Sequence, residues 1–203
     1  MSSDSADGSV NRTRRTFLTA ATSVVGVAGA VGVMTPFVGS WNPSAKAKAA
    51  GAPVKVDIGK LEPGQMVVEE WRGKPVYILH RTEAQLAELP LLNSSLKDPD
   101  STIEGSQPPY IKGVDRSIRP EIFVVIGLCT HLGCAPKFRP EVGVTEFNSD
   151  WGGGFFCPCH GSMFDLSGRV FAGTSPASQN LVVPPYSYED KNVVVIGVGE
   201  EVA

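Results

Sequence analysis

The sequence predicts an all-β domain behind a single N-terminal helix of membrane-spanning length. Two observations point to the domain. Short β-branched runs are bounded by proline and glycine, and the 203 residues include 22 Gly and 16 Pro, a loop-rich balance. A third observation points to the helix: the chain carries no charge from Thr16 to Ala45. At about 1.5 Å per residue, its most apolar part, 17–39, crosses a hydrocarbon core of about 30 Å.

Residues 1–16 are polar and include Arg12-Thr13-Arg14-Arg15-Thr16-Phe17-Leu18. Paired arginines before Phe-Leu and a mild apolar run read as a twin-arginine export signal. Ala45-Lys46-Ala47 and Ala47-Lys48-Ala49 are possible cleavage sites, but the apolar run is longer than the 7–15 residues or so of a cleavable signal. A retained anchor is therefore expected, with its basic end in the cytoplasm by the positive-inside rule. Gly26, Gly29 and Gly32 leave a small-residue surface on it, suited either to close helix packing or merely to lower hydrophobicity. Residues 40–53 lack apolar periodicity and read as a flexible linker.

The body, 54–203, opens with strands at Val54–Ile58, Gln65–Glu69 and Pro75–His80. Thr82-Glu83-Ala84-Gln85 has the capping-box pattern, predicting a short helix over Glu83–Leu89. Leu92 to Asp115 is polar and broken by Pro99, Pro108 and Pro109, which predicts a long surface loop. Glu121–Gly127 reads as a buried strand, and Tyr186–Glu189 with Val193–Gly197 as a terminal hairpin. No internal repeat is found.

The net charge of −3 argues against a nucleic-acid partner. It is divided unevenly, with +3 over residues 1–52 and −6 beyond them. All four cysteines and two of the three histidines fall between Cys129 and His160, the clustering of a metal site or a disulfide framework. They form two motifs, Cys129-Thr130-His131-Leu132-Gly133-Cys134 and Cys157-Pro158-Cys159-His160-Gly161-Ser162. A Cys₂His₂ zinc site or a pair of disulfides is one reading. Finger-type zinc sites, however, pair Cys with Cys and His with His, whereas here each loop supplies one of each. That symmetry suits a binuclear cluster with two Cys on one iron and two His on the other.

The pair C-T-H-L-G-C and C-P-C-H-G-S resembles the Rieske proteins of cytochrome bc1 and b6f complexes, and the anchor, linker and terminal hairpin extend the resemblance over nearly the whole chain. It implies a Rieske-type antiparallel β sandwich with a small cluster-binding subdomain at about 122–185. It further implies a [2Fe–2S] cluster held by Cys129, His131, Cys157 and His160, and a Cys134–Cys159 disulfide tying the loops together. Leu132, Gly133, Ser162, Phe164 and Pro176 would line the cluster, Ser162 through a hydroxyl hydrogen bond.

Two departures stand out. Many high-potential relatives have tyrosine where this chain has Phe164. In the covering loop Gly173-Thr174-Ser175-Pro176-Ala177-Ser178, a serine replaces the second proline. His80 reads as a strand-end histidine; Trp71, Trp151 and Phe155-Phe156 read as core or as a shield over the cluster.

The function so implied is electron transfer from quinol to cytochrome c1 within a quinol:cytochrome c oxidoreductase. His160 would face quinol bound to cytochrome b. The chain alone is an electron carrier, and the enzyme activity belongs to the complex. The expected location is the cell inner membrane with the head in the periplasm, where a disulfide persists. The alternative is the Rieske small subunit of a periplasmic molybdenum oxidase such as arsenite oxidase.

Overall fold

The computed structural model describes residues 11–143, 146 and 151–199. The chain forms two units, Met1–Lys48 and Ala49–Ala203.

In the first unit, helix α1 (Arg12–Gly39) is long and apolar enough to cross a membrane. It starts five residues before the expected apolar segment, because Asn11 caps it by accepting from the Arg14 amide (3.1 Å) and arginine is a good helix former. Thr16, Thr19 and Thr35 donate back to the carbonyls of Arg12, Arg15 and Val31 (2.7–2.9 Å). Their hydroxyls are thus satisfied within the helix, as a water-free surrounding demands. Phe17, Val24, Val25 and Phe37 are exposed, an apolar surface suited to lipid.

The expected structureless linker contains a short helix, α2 (Ala45–Ala50). Ala-Lys-Ala-Lys-Ala-Ala is built from strong helix formers, and the Ser44 hydroxyl accepts from the Ala47 amide at its start (3.1 Å).

Among the described residues, the second unit has three antiparallel sheets of three strands each. The strands are β1 (Val54–Asp57), β2 (Met66–Trp71), β3 (Lys74–His80), β4 (Ile122–Ile126), β5 (Lys137–Arg139), β6 (Gly154–Cys157), β7 (Ser162–Asp165), β8 (Tyr186–Asp190) and β9 (Val193–Ile196). The sheet orders are β1-β9-β8, β2-β3-β4 and β5-β6-β7. Val76, Ile78, Leu79, Phe123, Val124, Val125, Phe155 and Phe164 are all fully buried and form the centre of the core. α3 (Glu83–Glu88) carries the full capping box, with Thr82 and Gln85 bonding each other's backbone amides (2.9 and 3.2 Å).

Residues 97–115 are the irregular surface segment the prolines suggested, but residues 92–95 are not loop, and parts of the segment cover the core. A 3₁₀ segment (Leu89–Ser95) buries Leu89 and Leu92, and Leu96, Asp98, Ser106 and Ile111 are buried beyond it. The Lys97 amide bonds the Val170 carbonyl (2.9 Å), and the Ala172 amide bonds Ser95 (2.8 Å). The segment therefore lies along the third sheet.

Beneath it sit three buried arginines. Arg169 pairs with Asp165 (2.7 Å), both without solvent exposure, and reaches Asn93 and the Leu89 carbonyl (2.7 and 2.6 Å). Arg81 donates to the carbonyls of Pro120 and Asp115 and to the hydroxyls of Ser167 and Ser117 (2.7–2.9 Å). Arg116 donates to Gln107 and to the carbonyls of Ser167, Ser106 and Leu181 (2.7–3.0 Å). Burial lowers Arg81 and Arg116 to about 10, which leaves both charged at neutral pH. Their cost of desolvation is offset by hydrogen bonds along every edge of the guanidinium.

Candidate metal centre

The two cysteine motifs occupy matching turns. β4 runs into the first, which closes on itself through the Gly133 amide to the Cys129 carbonyl (2.8 Å) and the Cys129 amide to Cys134 (2.7 Å). The second is the turn between β6 and β7, closed by the Gly161 amide to the Cys157 carbonyl (2.9 Å). Gly133 and Gly161 hold φ of +80° and +77°, with open space where a Cβ would stand. Conformation rather than room calls for glycine at both. Each turn presents one buried free cysteine, Cys129 or Cys157, and one histidine.

A disulfide joins Cys134 to Cys159 and so locks the turns face to face. The His131 and His160 rings stand 4.8 Å apart between centroids and nearly perpendicular (88°). His131 Nδ1 is buried and has no hydrogen-bond partner, whereas His160 is exposed. A buried ring nitrogen without a partner is costly unless a ligand takes its lone pair.

Burial pushes the Cys157 thiol up, and the adjacent Cys129 side chain adds to this. The amides of Cys159 and His160 bond the Cys157 sulfur and oppose the shift. Amides aimed at a cysteine sulfur are the surroundings an iron–sulfur thiolate needs. The sulfurs of Cys134, Cys157 and Cys159 also lie within 4.8 Å of one another, but the disulfide removes two of these from ligation. The donors that remain free fit a two-thiolate, two-imidazole group.

The covering loop is fastened by side chains. Ser162, fully buried, accepts from the Ala177 amide, and Ser175 accepts from the Met163 amide (both 3.1 Å). Thr130 donates to the Gln179 carbonyl (2.6 Å), and Lys97 donates to the carbonyls of Ser175 and Ala177 (both 2.7 Å). Pro176 is exposed on this loop, and Leu132, at 69% exposure, projects from the first turn. Phe164 is fully buried on β7.

Thr130 stood inside a motif already singled out, whereas nothing in the sequence distinguished Lys97 from a surface lysine. His80 lies at the end of β3 and bonds the Leu61 carbonyl through Nδ1 (2.6 Å), apart from the metal centre. Trp71 and Phe155 belong to the main core, while Trp151 packs with Phe171, Leu92, Leu96 and Met163 in a second one.

Comparison with known proteins agrees with this geometry. A family model described as "Ubiquitinol-cytochrome C reductase Fe-S subunit TAT signal" matches residues 4–44, and one described as "Rieske [2Fe-2S] domain" matches residues 106–187. The ubiquinol-cytochrome c reductase iron-sulfur subunit of Allochromatium vinosum is 54% identical over 193 residues, covering 95% of this chain and 92% of the relative. The protein of the same name from Bradyrhizobium diazoefficiens is 41% identical over 95% of this chain and 99% of the relative. That from Blastochloris viridis is 42% identical over 98% of each. On identity of this extent over both lengths, the chain belongs to the family of ubiquinol-cytochrome c reductase iron–sulfur subunits.

Proposed function

We propose that Cys129 and Cys157 hold one iron, and His131 and His160 the other, of the Rieske [2Fe–2S] cluster that is this family's cofactor. The observation that carries the assignment is the convergence of two buried free cysteines with the partnerless His131 Nδ1, between turns locked by a disulfide. When bound, the cluster supplies one-electron transfer at a potential raised by its neutral imidazole ligands.

The chain serves as the electron-transfer subunit of a quinol:cytochrome c oxidoreductase, and the names of its near-full-length relatives favour this over a molybdenum-oxidase subunit. His160 is the exposed ligand. Its exposed ring would leave one nitrogen free to accept a hydrogen bond, and then a proton, from quinol bound to cytochrome b while the cluster supplied the electron's destination. Leu132 supplies apolar surface on the neighbouring turn, and the disulfide keeps both turns from splaying.

α1 anchors the chain in the inner membrane with its basic end in the cytoplasm and the head in the periplasm. The charge pattern, the twin-arginine match and the disulfide support this placement. Residues 40–53 tether the head as it moves from cytochrome b to cytochrome c1. Shortening them is expected to slow turnover of the complex while leaving the cluster's spectrum unchanged, and unchanged turnover would count against the tether.

The first test is a redox titration of the purified full-length chain in detergent, followed by EPR. Rieske centres as a class span about −150 to +300 mV. A Rieske signal titrating in the upper part of that span is expected. The same signal near the bottom would remove the quinol-oxidising role, and bound zinc without a signal would overturn the ligand assignment.

A further inference from the structure

The covering loop is held to the metal centre almost without help from its own backbone. Beyond the turn at Gly173-Thr174, no backbone–backbone hydrogen bond among the described residues fixes residues 176–180, and Pro176 has no amide to offer. Side chains take that place: Ser162, Ser175, Thr130 and Lys97 fasten residues 175–179, the Asn180 side chain bonds the Val170 amide, the Asp98 carbonyl and Ser101 (2.8–2.9 Å), and the Lys97 contacts are charge-assisted. Lys97 reaches across from the 92–115 segment and donates to the carbonyls of both Ser175 and Ala177 (2.7 Å each). Lys97 is itself anchored, since its amide bonds Val170 and the adjacent Leu96 bridges to Phe171.

The two carbonyls flank Pro176, so a single ammonium draws the turn closed around it. Charge-assisted hydrogen bonds are roughly twice as strong as neutral ones, which makes this the strongest of the attachments. The same turn sets the Ala177 amide against Ser162 Oγ (3.1 Å). Because that oxygen accepts from Ala177, the hydroxyl proton is left to point elsewhere, and Ser162 lies fully buried in the turn that carries Cys157 and His160.

We infer that Lys97 is a positioning residue for the metal centre, fixing the covering loop and, through the Ala177 amide, the orientation of the Ser162 hydroxyl toward the bound cluster. The inference rests on the ligand assignment above. It concerns a residue 32 positions before the first ligand, in a segment that carries no motif.

The test uses the full-length, cluster-loaded chain in detergent, as wild type, Lys97→Met and Lys97→Arg. Hydrogen exchange of the peptide covering 173–180 reads the loop, and the midpoint potential of the EPR signal reads the hydroxyl. Lys97→Met is expected to speed exchange by about tenfold or more and to lower the potential, with the Rieske signal retained. Lys97→Arg, which keeps the charge and paired donors, is expected to restore both. Unchanged exchange in Lys97→Met overturns the inference, even if the potential falls, since charge alone would then account for the shift. Faster exchange with an unmoved potential breaks the link to Ser162 and also overturns it. Absence of a Rieske signal in the wild type overturns the ligand assignment instead.

Discussion

The ring of Tyr77 fills the space where residue 127 would carry a side chain, so that only glycine fits opposite it. The Tyr77 hydroxyl donates to the Pro136 carbonyl (3.0 Å), just past the first cysteine turn, and the ring stacks on Phe155 (5.8 Å). This pair connects the β2-β3-β4 sheet to both sides of the metal centre. Gly127→Ala is expected to displace the ring, lower stability by about 1–3 kcal/mol and broaden the EPR signal. Tyr77→Phe should lose only about 1 kcal/mol. Thermal unfolding and EPR of the two variants check this, and a Gly127→Ala protein indistinguishable from wild type would contradict it.

Phe164 sits fully buried on β7, in the same core cluster as Cys129 and Cys157. With the ligands as proposed, a hydroxyl at this position adds a hydrogen-bond donor to the cluster of residues that holds both cysteine sulfurs, and a donor to sulfur stabilises the reduced cluster. Phe164→Tyr is therefore expected to raise the midpoint potential. A redox titration showing no rise would refute this.

Asp165 and Arg169 are both fully buried, and Asp165 also accepts the amides of Ser167 and Arg169 (2.9 and 2.7 Å). Arg169→Met leaves that carboxylate without its partner, a loss of about 3–5 kcal/mol. For a chain of this size the expected fall in Tm is roughly 6–20 °C. A fall of a degree or two would show that water enters and that the pair is not sealed.

Tyr186 is fully buried, and its hydroxyl oxygen accepts from the Ile118 amide (2.9 Å). Burial raises its pKa above the ordinary 10.0, and Tyr77 shifts the same way for the same reason. Above pH 10 the unfolded phenol ionises while the native one keeps its proton. The native state then binds more protons, and stability falls as pH rises further. Below pH 10 this contribution is fully present. Arg81 and Arg116, lowered by burial, act in the opposite sense, and because Arg81 also feels the Tyr186 phenol the variant reports on that pair together. Tyr186→Phe is expected to lose about 1 kcal/mol at neutral pH and to show a shallower alkaline decline. Denaturant midpoints from pH 8 to about 11 measure it, and equal slopes in the two proteins would rule the tyrosine out.

The two turns that meet across the disulfide were legible because their chemistry is rare. Cysteine and histidine in mirrored short motifs have few uses, and the terminal hairpin and capping box follow local rules. The disulfide came from the resemblance, since spacing alone leaves the pairing of four cysteines open. The irregular 97–115 segment was legible as a loop, but prolines and polar residues do not say what a loop covers. Arg81, Arg116 and Arg169 gave no warning either. Arginine is seldom buried, and its acceptors here are mostly backbone carbonyls, which every residue carries. The helix in the linker went unseen because six residues of alanine and lysine show no apolar period. Lys97 owes its importance to where its stem ends, which is a property of the packed chain.

The buried arginines also govern how the chain can fold. Their acceptors are gathered from Leu89, Asn93, Ser106, Asp115, Pro120, Ser167 and Leu181. No stretch of sequence can satisfy them alone, so a half-assembled head would trap bare guanidiniums in an apolar interior. Partial structures are thereby made unstable, and the transition becomes all-or-none, limited by contacts distant in sequence. A chain whose N-terminus matches a twin-arginine signal would gain from this if exported: what reached the machinery would be either open or finished, with little in between to be mistaken for cargo.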